Sequence, residues 1–399
     1  MHRFAHLACV LLLSVVALAA ALSASELPNP ALLVLNKGEA QLAIVDPAAM
    51  KVVARIPTGV GPHEVATDGK LAFVTNYGDK NPGNTLSVID LATQMEVRRV
   101  DLGVMRRPHG IEVRDGKAYF TAELNKAVAR YDPAANKVDW FLGTGQEISH
   151  MLVANRDATA IYTSNMLSDT VTAFRSVQGP RGFEAIHIPV GKGPEAIDLS
   201  PDGKQLWTAH SRDGGVSIID TATNEVVHTI PGLTKHSNRL KFTPDGKRVL
   251  ISDAEGGAVV VLDVATRQVV QRIPLPNVPL GILVVPDGSR AFVATTEDGK
   301  INVIDLASLK VVGSLQVGAN PDGMAWVGGN QGTATAREGR LSSIVPLPGL
   351  DTDIRQFCLG CDLRNKLTEV LLDGSKARQD IVLDLVGAGF LPVIPSPLT

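Results

Sequence analysis

The chain has 399 residues, with 38 lysines and arginines against 41 aspartates and glutamates and a formal net charge of −3. Its basic residues form no runs, and the pairs Arg98-Arg99 and Arg106-Arg107 stand alone. Binding to nucleic acid without regard to base sequence needs a basic stripe that neutralises several phosphates. The composition therefore argues against that class of function, and no nucleic-acid partner is predicted.

The N-terminus has the composition of a secretory signal. Met1-His2-Arg3 is followed by a 16-residue apolar run from Leu7 to Leu22 and by the small residues Ser23-Ala24-Ser25. The run is short for a bilayer span and no charged stop follows it, which favours cleavage over a membrane anchor. Residues 1–25 are predicted to be a signal peptide. The protein is therefore expected to be exported, periplasmic or at the cell surface, with no membrane span after signal cleavage.

A short motif of apolar residues that ends in aspartate recurs along the chain. The copies end at Asp46, Asp90, Asp132, Asp220, Asp263 and Asp305. They are 44, 42, 88, 43 and 42 residues apart, and the longest interval holds a further copy, Thr170–Phe174, in which Phe replaces the acid. A period of about 40–45 residues built from short β-rich segments is typical of the blades of a β-propeller.

Each repeat reads as four short strands, with a Pro-Asp-Gly or Asp-Gly turn between the first and the second. Seven first strands are predicted, starting at Pro62, Pro108, Ser149, Pro194, Ser237, Pro279 and Pro321. The last has no strands after it, whereas residues 31–57 supply strands two to four of a blade that lacks its first. Pairing the two ends closes the ring and leaves no long sheet edge exposed. The sequence therefore predicts an all-β, seven-bladed β-propeller over residues 31–327, with N- and C-terminal strands closing one blade.

The repeats carry a family resemblance. Phe73-Val74-Thr75-Asn76-Tyr77, followed by Thr85–Asp90, resembles the YVTN-type β-propeller repeat, as do the Val-Gly-x-Gly-Pro and Pro-Asp-Gly elements. The resemblance covers about residues 31–327 and implies a seven-bladed propeller exported by a bacterium or archaeon. Because the family is functionally mixed, it implies no particular activity.

One position of the first strands is polar in almost every repeat. It is the second residue of the strand and lies two residues before a uniformly apolar position, so both side chains point to the same face. The occupants are His63, His109, His150, Glu195, Asn238, Leu280 and Asp322. Since the first strands surround the channel of a propeller, the six polar residues are predicted to form a ligand-binding ring at the tunnel mouth.

Three consecutive blades place histidine in this ring, and His236 lies just outside its register. Three imidazoles can hold a metal ion and leave one coordination position open. His63, His109 and His150 are therefore candidate ligands for Zn or Cu, with Glu195 or Asp322 as a fourth ligand or a base. The alternative is that the imidazoles only cap backbone groups of a recurring turn. No cofactor is certain, and no catalytic residue is identified.

Residues 328–399 lack the repeat and are predicted to be a linker and a tail, partly helical or disordered. Leu363–Leu372 and Lys376–Leu385 have apolar spacing compatible with helices. Cys358 and Cys361 form a lone Cys-x-x-Cys, and the absence of a following histidine excludes a c-type haem attachment site. In an exported chain a small disulfide loop, or no functional role, is expected.

The leading hypothesis is an exported propeller scaffold that binds a small ligand or a protein partner at the tunnel-mouth face without catalysis. The absence of a Gly-x-Ser-x-Gly nucleophile motif and of any marked acid–base pair favours it. The runner-up is a metal-binding periplasmic enzyme or redox accessory that uses the three histidines. A third hypothesis, surface adhesion or envelope structure, depends on the habits of the family alone.

Overall fold

The computed structural model describes residues 26–177 and 182–328. In these ranges, 28 strands form seven four-stranded antiparallel sheets, joined by turns and two three-residue 3-10 helices, Lys37–Glu39 and Glu123–Asn125. The predicted signal peptide, the predicted tail after residue 328, and Cys358 and Cys361 lie outside the described residues. No helix in the described ranges is long and apolar enough to cross a membrane.

The strands are numbered in chain order, and each blade is one sheet. The blade that combines both ends consists of β28 (Pro321–Val327), β1 (Ala31–Asn36), β2 (Gln41–Asp46) and β3 (Lys51–Pro57). The first three complete blades are β4 (Pro62–Thr67), β5 (Leu71–Gly78), β6 (Pro82–Asp90), β7 (Met95–Asp101); β8 (Pro108–Arg114), β9 (Lys117–Ala122), β10 (Ala127–Asp132), β11 (Lys137–Gly143); and β12 (Ser149–Ala154), β13 (Ala160–Asn165), β14 (Thr170–Ser176), β15 (Phe183–Pro189). The next three are β16 (Pro194–Leu199), β17 (Gln205–His210), β18 (Val216–Asp220), β19 (Glu225–Ile230); β20 (Ser237–Phe242), β21 (Arg248–Asp253), β22 (Ala258–Asp263), β23 (Val269–Pro274); and β24 (Pro279–Val284), β25 (Arg290–Thr295), β26 (Lys300–Asp305), β27 (Lys310–Gln316).

The first strands contact one another in a closed circle, which confirms the predicted seven-bladed fold. β4 contacts β8, and the contacts continue through β12, β16, β20 and β24 to β28, which contacts β4 again. All seven begin at the residues predicted from the sequence. The ends of the repeat region meet in one sheet, where β1 pairs with β28 through Ala31–Val327 and Leu33–Ala325. The closure by N- and C-terminal strands is therefore confirmed.

The aspartate that ends the recurring apolar motif caps the turn that leads into each fourth strand. Asp90 Oδ1 accepts a hydrogen bond from the Thr93 backbone N–H at 2.8 Å, and Asp220 Oδ1 accepts from those of Ala222 and Thr223 at 2.8 and 3.0 Å. These backbone donors hold the pKa of Asp90 and Asp220 below the usual range. The motif therefore recurs because the same turn recurs, and its aspartate has a structural role.

The hydrophobic core lies between the blades. Seven clusters of buried apolar residues are found in the described part of the chain, one between each pair of adjacent blades. Between the closing blade and its successor, for example, Leu33 and Ile44 pack with Val74 and Ile89. Because one side of each sheet packs on the preceding blade and the other on the following blade, the middle strands are apolar on both faces.

Candidate functional site

The structure brings the three predicted histidines into direct contact. The ring centroids of His63 and His109 are 4.1 Å apart, and those of His109 and His150 are 3.8 Å apart. In β4, β8 and β12 the register shifts around the histidine position, because a β-bulge interrupts the pairing with the second strand. A bulge redirects the side chain that it contains. The three imidazoles form a stack along one side of the channel, with His109 in the middle.

Hydroxyl groups of the neighbouring blade hold the backbone of this stack. Thr75 Oγ1 in β5 donates to the His109 carbonyl at 2.8 Å, and Thr121 Oγ1 in β9 donates to the His150 carbonyl at 2.6 Å. Gly110 follows His109, and a Cβ on it would come within 2.8 to 2.9 Å of the backbone of His150 and Leu152. Glycine at this position therefore permits the close approach of β8 and β12 that stacks the two imidazoles.

The other predicted ring residues lie at the same mouth. Asn238 Nδ2 donates to Glu195 Oε1 at 2.6 Å, and Glu195 Oε2 lies 3.4 Å from His236 Nε2. Asp322 Oδ2 accepts from Lys37 Nζ at 2.8 Å and lies 3.6 Å from His63 Nδ1. His236, outside the register in sequence, therefore joins the ring in space. The predicted polar positions lie together, whereas Leu280 brings no polar atom to the ring.

Five further residues of this mouth were not identified from the sequence. They are Lys37, Glu64, Tyr77, Glu123 and Arg239. Glu64 and Arg239 directly follow a ring position, while Lys37 and Glu123 begin the turn after the second strand of their blades. Tyr77 occupies the position in β5 that corresponds to Lys37 and Glu123, directly after the asparagine Asn76. A comparison of that second register across the repeats would have found them. The predicted ring and these five residues are called the tunnel-mouth cluster below.

Arg239 crosses the channel. Its guanidinium contacts Glu64 Oε1 of a blade that is not its neighbour and lies 3.6 Å from Asp322 Oδ1. Both members of the Arg239–Glu64 pair are buried. Burial by itself raises the pKa of the Glu64 carboxyl, but the charge of Arg239 and the hydrogen bond with His63 together outweigh it and hold that pKa below its usual range. The pair therefore ties opposite sides of the ring together.

His109 is the least satisfied residue of the cluster. It is 2% exposed, and neither ring nitrogen has a hydrogen-bond partner. Burial, followed by the charges of His150 and His63, lowers its pKa well below the usual value, so this imidazole is neutral at pH 7. A buried polar atom without a partner costs about 1–3 kcal/mol, which a fold tolerates where the group serves another purpose.

Glu123 is held from two sides. Its Oε1 lies 2.5 Å from His150 Nδ1, and its Oε2 accepts a hydrogen bond from Tyr77 Oη at 2.7 Å. Burial and the charge of Glu123 raise the pKa of Tyr77, so the phenol keeps its proton and donates. Burial lowers the pKa of His150, but the hydrogen bond to Glu123 and the charges of Glu123 and Glu195 together outweigh it, and the net shift is upward.

Two sets of side chains in the described residues bring metal-ligand atoms within 4.8 Å of one another: His63, Glu64 and His109, and His109, Glu123 and His150. Each combines two histidines with one carboxylate and shares His109. The predicted set of three histidines does not form such a group in the described residues. His109 contacts the rings of both His63 and His150, and no ring contact joins those two directly in the described residues. The histidines come together as predicted, but the structure pairs them with carboxylates that lay outside the prediction.

A cavity of about 500 Å³ opens beside the stack. Among the residues that line it are Lys37, His63, Tyr77, Asp79 and Asn320. The lining mixes both signs of charge, an aromatic ring and backbone of the glycines near Val60 and Tyr77. The volume is within the range of small-molecule sites.

The YNCE-like beta-propeller family model matches residues 232–330. No curated protein was found to match the chain. Among solved structures, the chain is similar to the periplasmic gluconolactonase of Pseudomonas aeruginosa, with 17% identity, a TM-score of 0.60 and coverage of 75% of this chain and 99% of that one. It is similar to hydrazine synthase of Kuenenia stuttgartiensis, with 19% identity, a TM-score of 0.57 and coverage of 66% and 88%.

A third similar structure is a protein of unknown function from Desulfotomaculum acetoxidans, with 16% identity, a TM-score of 0.62 and coverage of 75% and 99%. Identities at this level show a shared fold and nothing about shared chemistry. The resemblance that the repeats carry is confirmed by the family match together with the observed fold. The repeat region of this chain is a seven-bladed β-propeller that is similar to the YNCE-like propeller family over residues 232–330.

Proposed function

We propose that this chain is an exported, periplasmic propeller that binds a small polar ligand at its tunnel mouth and does not catalyse a reaction. One observation carries the proposal. Of the nine buried side-chain atoms without a hydrogen-bond partner in the described residues, five belong to His63, His109, Asn238 and Asp322 of the tunnel-mouth cluster. Buried polar atoms in native proteins normally have partners, so such a concentration marks a place where a ligand supplies them.

The cavity beside His63 gives that ligand an entry. Lys37 and Asp79 on its walls favour a ligand with both donors and acceptors. Three of the four carboxylates of the cluster are engaged by a cation or an amide: Glu64 by Arg239, Asp322 by Lys37 and Glu195 by Asn238. The fourth, Glu123, is engaged by His150 and the phenol of Tyr77. This engagement favours binding over acid–base chemistry, because a general base needs a carboxylate free to take a proton.

Ligand binding is tested by thermal shift. The full chain is screened against small carboxylates, sugars, lactones and amines in EDTA, which removes metal ions from the assay. We expect at least one compound to raise the Tm, since a ligand at 100 times its Kd stabilises by about 2.7 kcal/mol. Its affinity, measured by calorimetry, should fall at least about tenfold in His63→Ala.

The matched control is His228→Ala. It removes an imidazole from β19, the fourth strand of its blade, which is the strand farthest from the channel. A complete screen without a hit, or a hit that binds His63→Ala as tightly as the unaltered chain, would contradict the proposal.

Export is tested on the protein from cells. The apolar run of residues 7–22 and the small residues after it support cleavage. The similar gluconolactonase of Pseudomonas aeruginosa is also described as periplasmic. We expect the chain in the periplasmic fraction, with an intact mass that begins at Glu26. Recovery only in the cytoplasm, with residues 1–25 still attached, would rule out this part of the proposal.

A further inference from the structure

His109 has the properties of a metal ligand: it belongs to both candidate ligand sets, and its two ring nitrogens lack hydrogen-bond partners. Its imidazole is also buried. A histidine that only packs in a core usually donates at least one N–H to a carbonyl or carboxylate. Neutral imidazole nitrogens are the common ligands of Zn²⁺ and Cu²⁺ in proteins.

We propose that His109, Glu123 and His150 bind one divalent transition-metal ion, of the class of Zn²⁺ or Cu²⁺, at the tunnel mouth. The metal ion would be a ligand of the tunnel mouth, so this inference rests on the proposed function, in which the tunnel mouth is the binding face. One ligand atom from each of the three residues lies within 4.8 Å of the other two. Metal–nitrogen bonds of about 2.0–2.1 Å place ligand atoms roughly 3.3–4.2 Å apart, so the side chains need to move by about 1 Å or less.

The carboxylate of this set is already oriented. Tyr77 Oη holds Glu123 Oε2 at 2.7 Å, and Oε1 faces His150 Nδ1. The Glu123 backbone N–H donates to the Arg107 carbonyl at 3.1 Å, which fixes the start of the short 3-10 helix. Hydrogen bonds of this kind to a ligating carboxylate orient it and are worth about 10–100-fold in metal affinity. Tyr77 is therefore a positioning residue for Glu123.

The other candidate set, His63, Glu64 and His109, is less suited to a cation. Glu64 is engaged by the guanidinium of Arg239, whose positive charge opposes a cation bound to the same carboxylate. A metal ion there would have to compete with this buried arginine for the carboxylate. Glu123, by contrast, contacts a histidine and a phenol, both of which can accommodate a metal ion nearby.

The charge of the cluster matches a divalent cation. Its carboxylates are Glu64, Glu123, Glu195 and Asp322, and its permanent cations are Lys37 and Arg239. Once the imidazoles are neutral, as metal binding requires, four carboxylates and two cations leave a net charge of −2. Two nitrogens and one oxygen favour a borderline ion over Mg²⁺ or Ca²⁺, which prefer oxygen ligands alone.

The test uses the full chain without a histidine tag and with Cys358→Ser and Cys361→Ser, because thiolates would compete for the metal. Equilibrium dialysis and calorimetry with Zn²⁺ and Cu²⁺ should show one ion per chain, and Mg²⁺ none. His109→Leu, Glu123→Gln and His150→Ala should each weaken binding by at least about 100-fold, and Tyr77→Phe by about 10–100-fold. Electron paramagnetic resonance of the Cu²⁺ form should show two nitrogen ligands, and one in His150→Ala.

His228→Ala is the matched control and should bind as the parent does, whereas Glu64→Gln tests the other candidate set. Circular dichroism of each variant shows whether its fold is kept, and Tyr77→Phe gives a graded effect that an unfolded protein would not. No binding of either metal by the parent, unchanged binding in His109→Leu, or loss in Glu64→Gln with retention in Glu123→Gln would overturn the assignment. The ligand screen is run in EDTA and does not depend on metal. A failure to bind metal would therefore overturn this inference without contradicting the proposed ligand binding.

Discussion

A chain that ends at Asn320, and therefore lacks β28, is expected to lose its cooperative unfolding transition. β28 is the only first strand of the closing blade, where it pairs with β1 over Ala31–Asn36. Its removal uncovers two inter-blade cores, one containing Ala325 and the other lined by Trp326. It also leaves β1 as an open edge next to the channel. Circular dichroism during heating and size-exclusion chromatography measure the result.

The control is a chain that ends at Gly328, which keeps β28 and every hydrogen bond described for the closing blade. The shorter chain loses a strand whose burial accounts for several kcal/mol, against a typical total stability of about 5–15 kcal/mol. We therefore expect a folded protein from the longer chain and an aggregating one from the shorter. Equal Tm values for the two would show that the ring does not depend on this closure.

Replacing Arg239 by alanine is expected to lower the free energy of unfolding by about 3–5 kcal/mol, because it leaves the buried carboxylate of Glu64 without its cation. The loss is larger than that of an ordinary surface contact, since Arg239 also lies 3.6 Å from Asp322 and 3.1 Å from the sulfur of Met151. Urea unfolding followed by fluorescence gives the value.

Two comparisons separate the unpaired charge from lost packing. The double variant Arg239→Met, Glu64→Leu should regain most of the stability, because apolar residues of similar volume often replace a buried pair at little cost. Arg99→Ala removes an ion pair with Glu96 on the surface and should cost less than about 1 kcal/mol. A single Arg239 variant as stable as Arg99→Ala would show that the bridge across the channel contributes nothing.

The repeats could be predicted from the sequence because their causes are local. The aspartate at the end of each third strand caps a turn two or three residues away, and glycine after Pro-Asp accepts the positive φ of the next turn, as Gly203 does at +72°. The three histidines were found by aligning the repeats, because equivalent positions of adjacent first strands lie side by side. Residues 1–25 and 329–399 lie outside the described structure, so the predicted signal peptide and tail stay predictions.

The sequence alone determined the number of blades, the closure by both ends and the register that places His63, His109 and His150 together. Only the tertiary structure decided which charges meet, because the partners lie far apart in the sequence and, for Arg239 and Glu64, on opposite sides of the ring. Arg239 reaches Glu64 over a separation of 175 residues, and Lys37 reaches Asp322 over 285. A periodic pattern specifies backbone hydrogen bonds and the alternation of side chains along a strand. It does not specify the curvature of the closed ring, and that curvature sets the distance between side chains on its opposite sides.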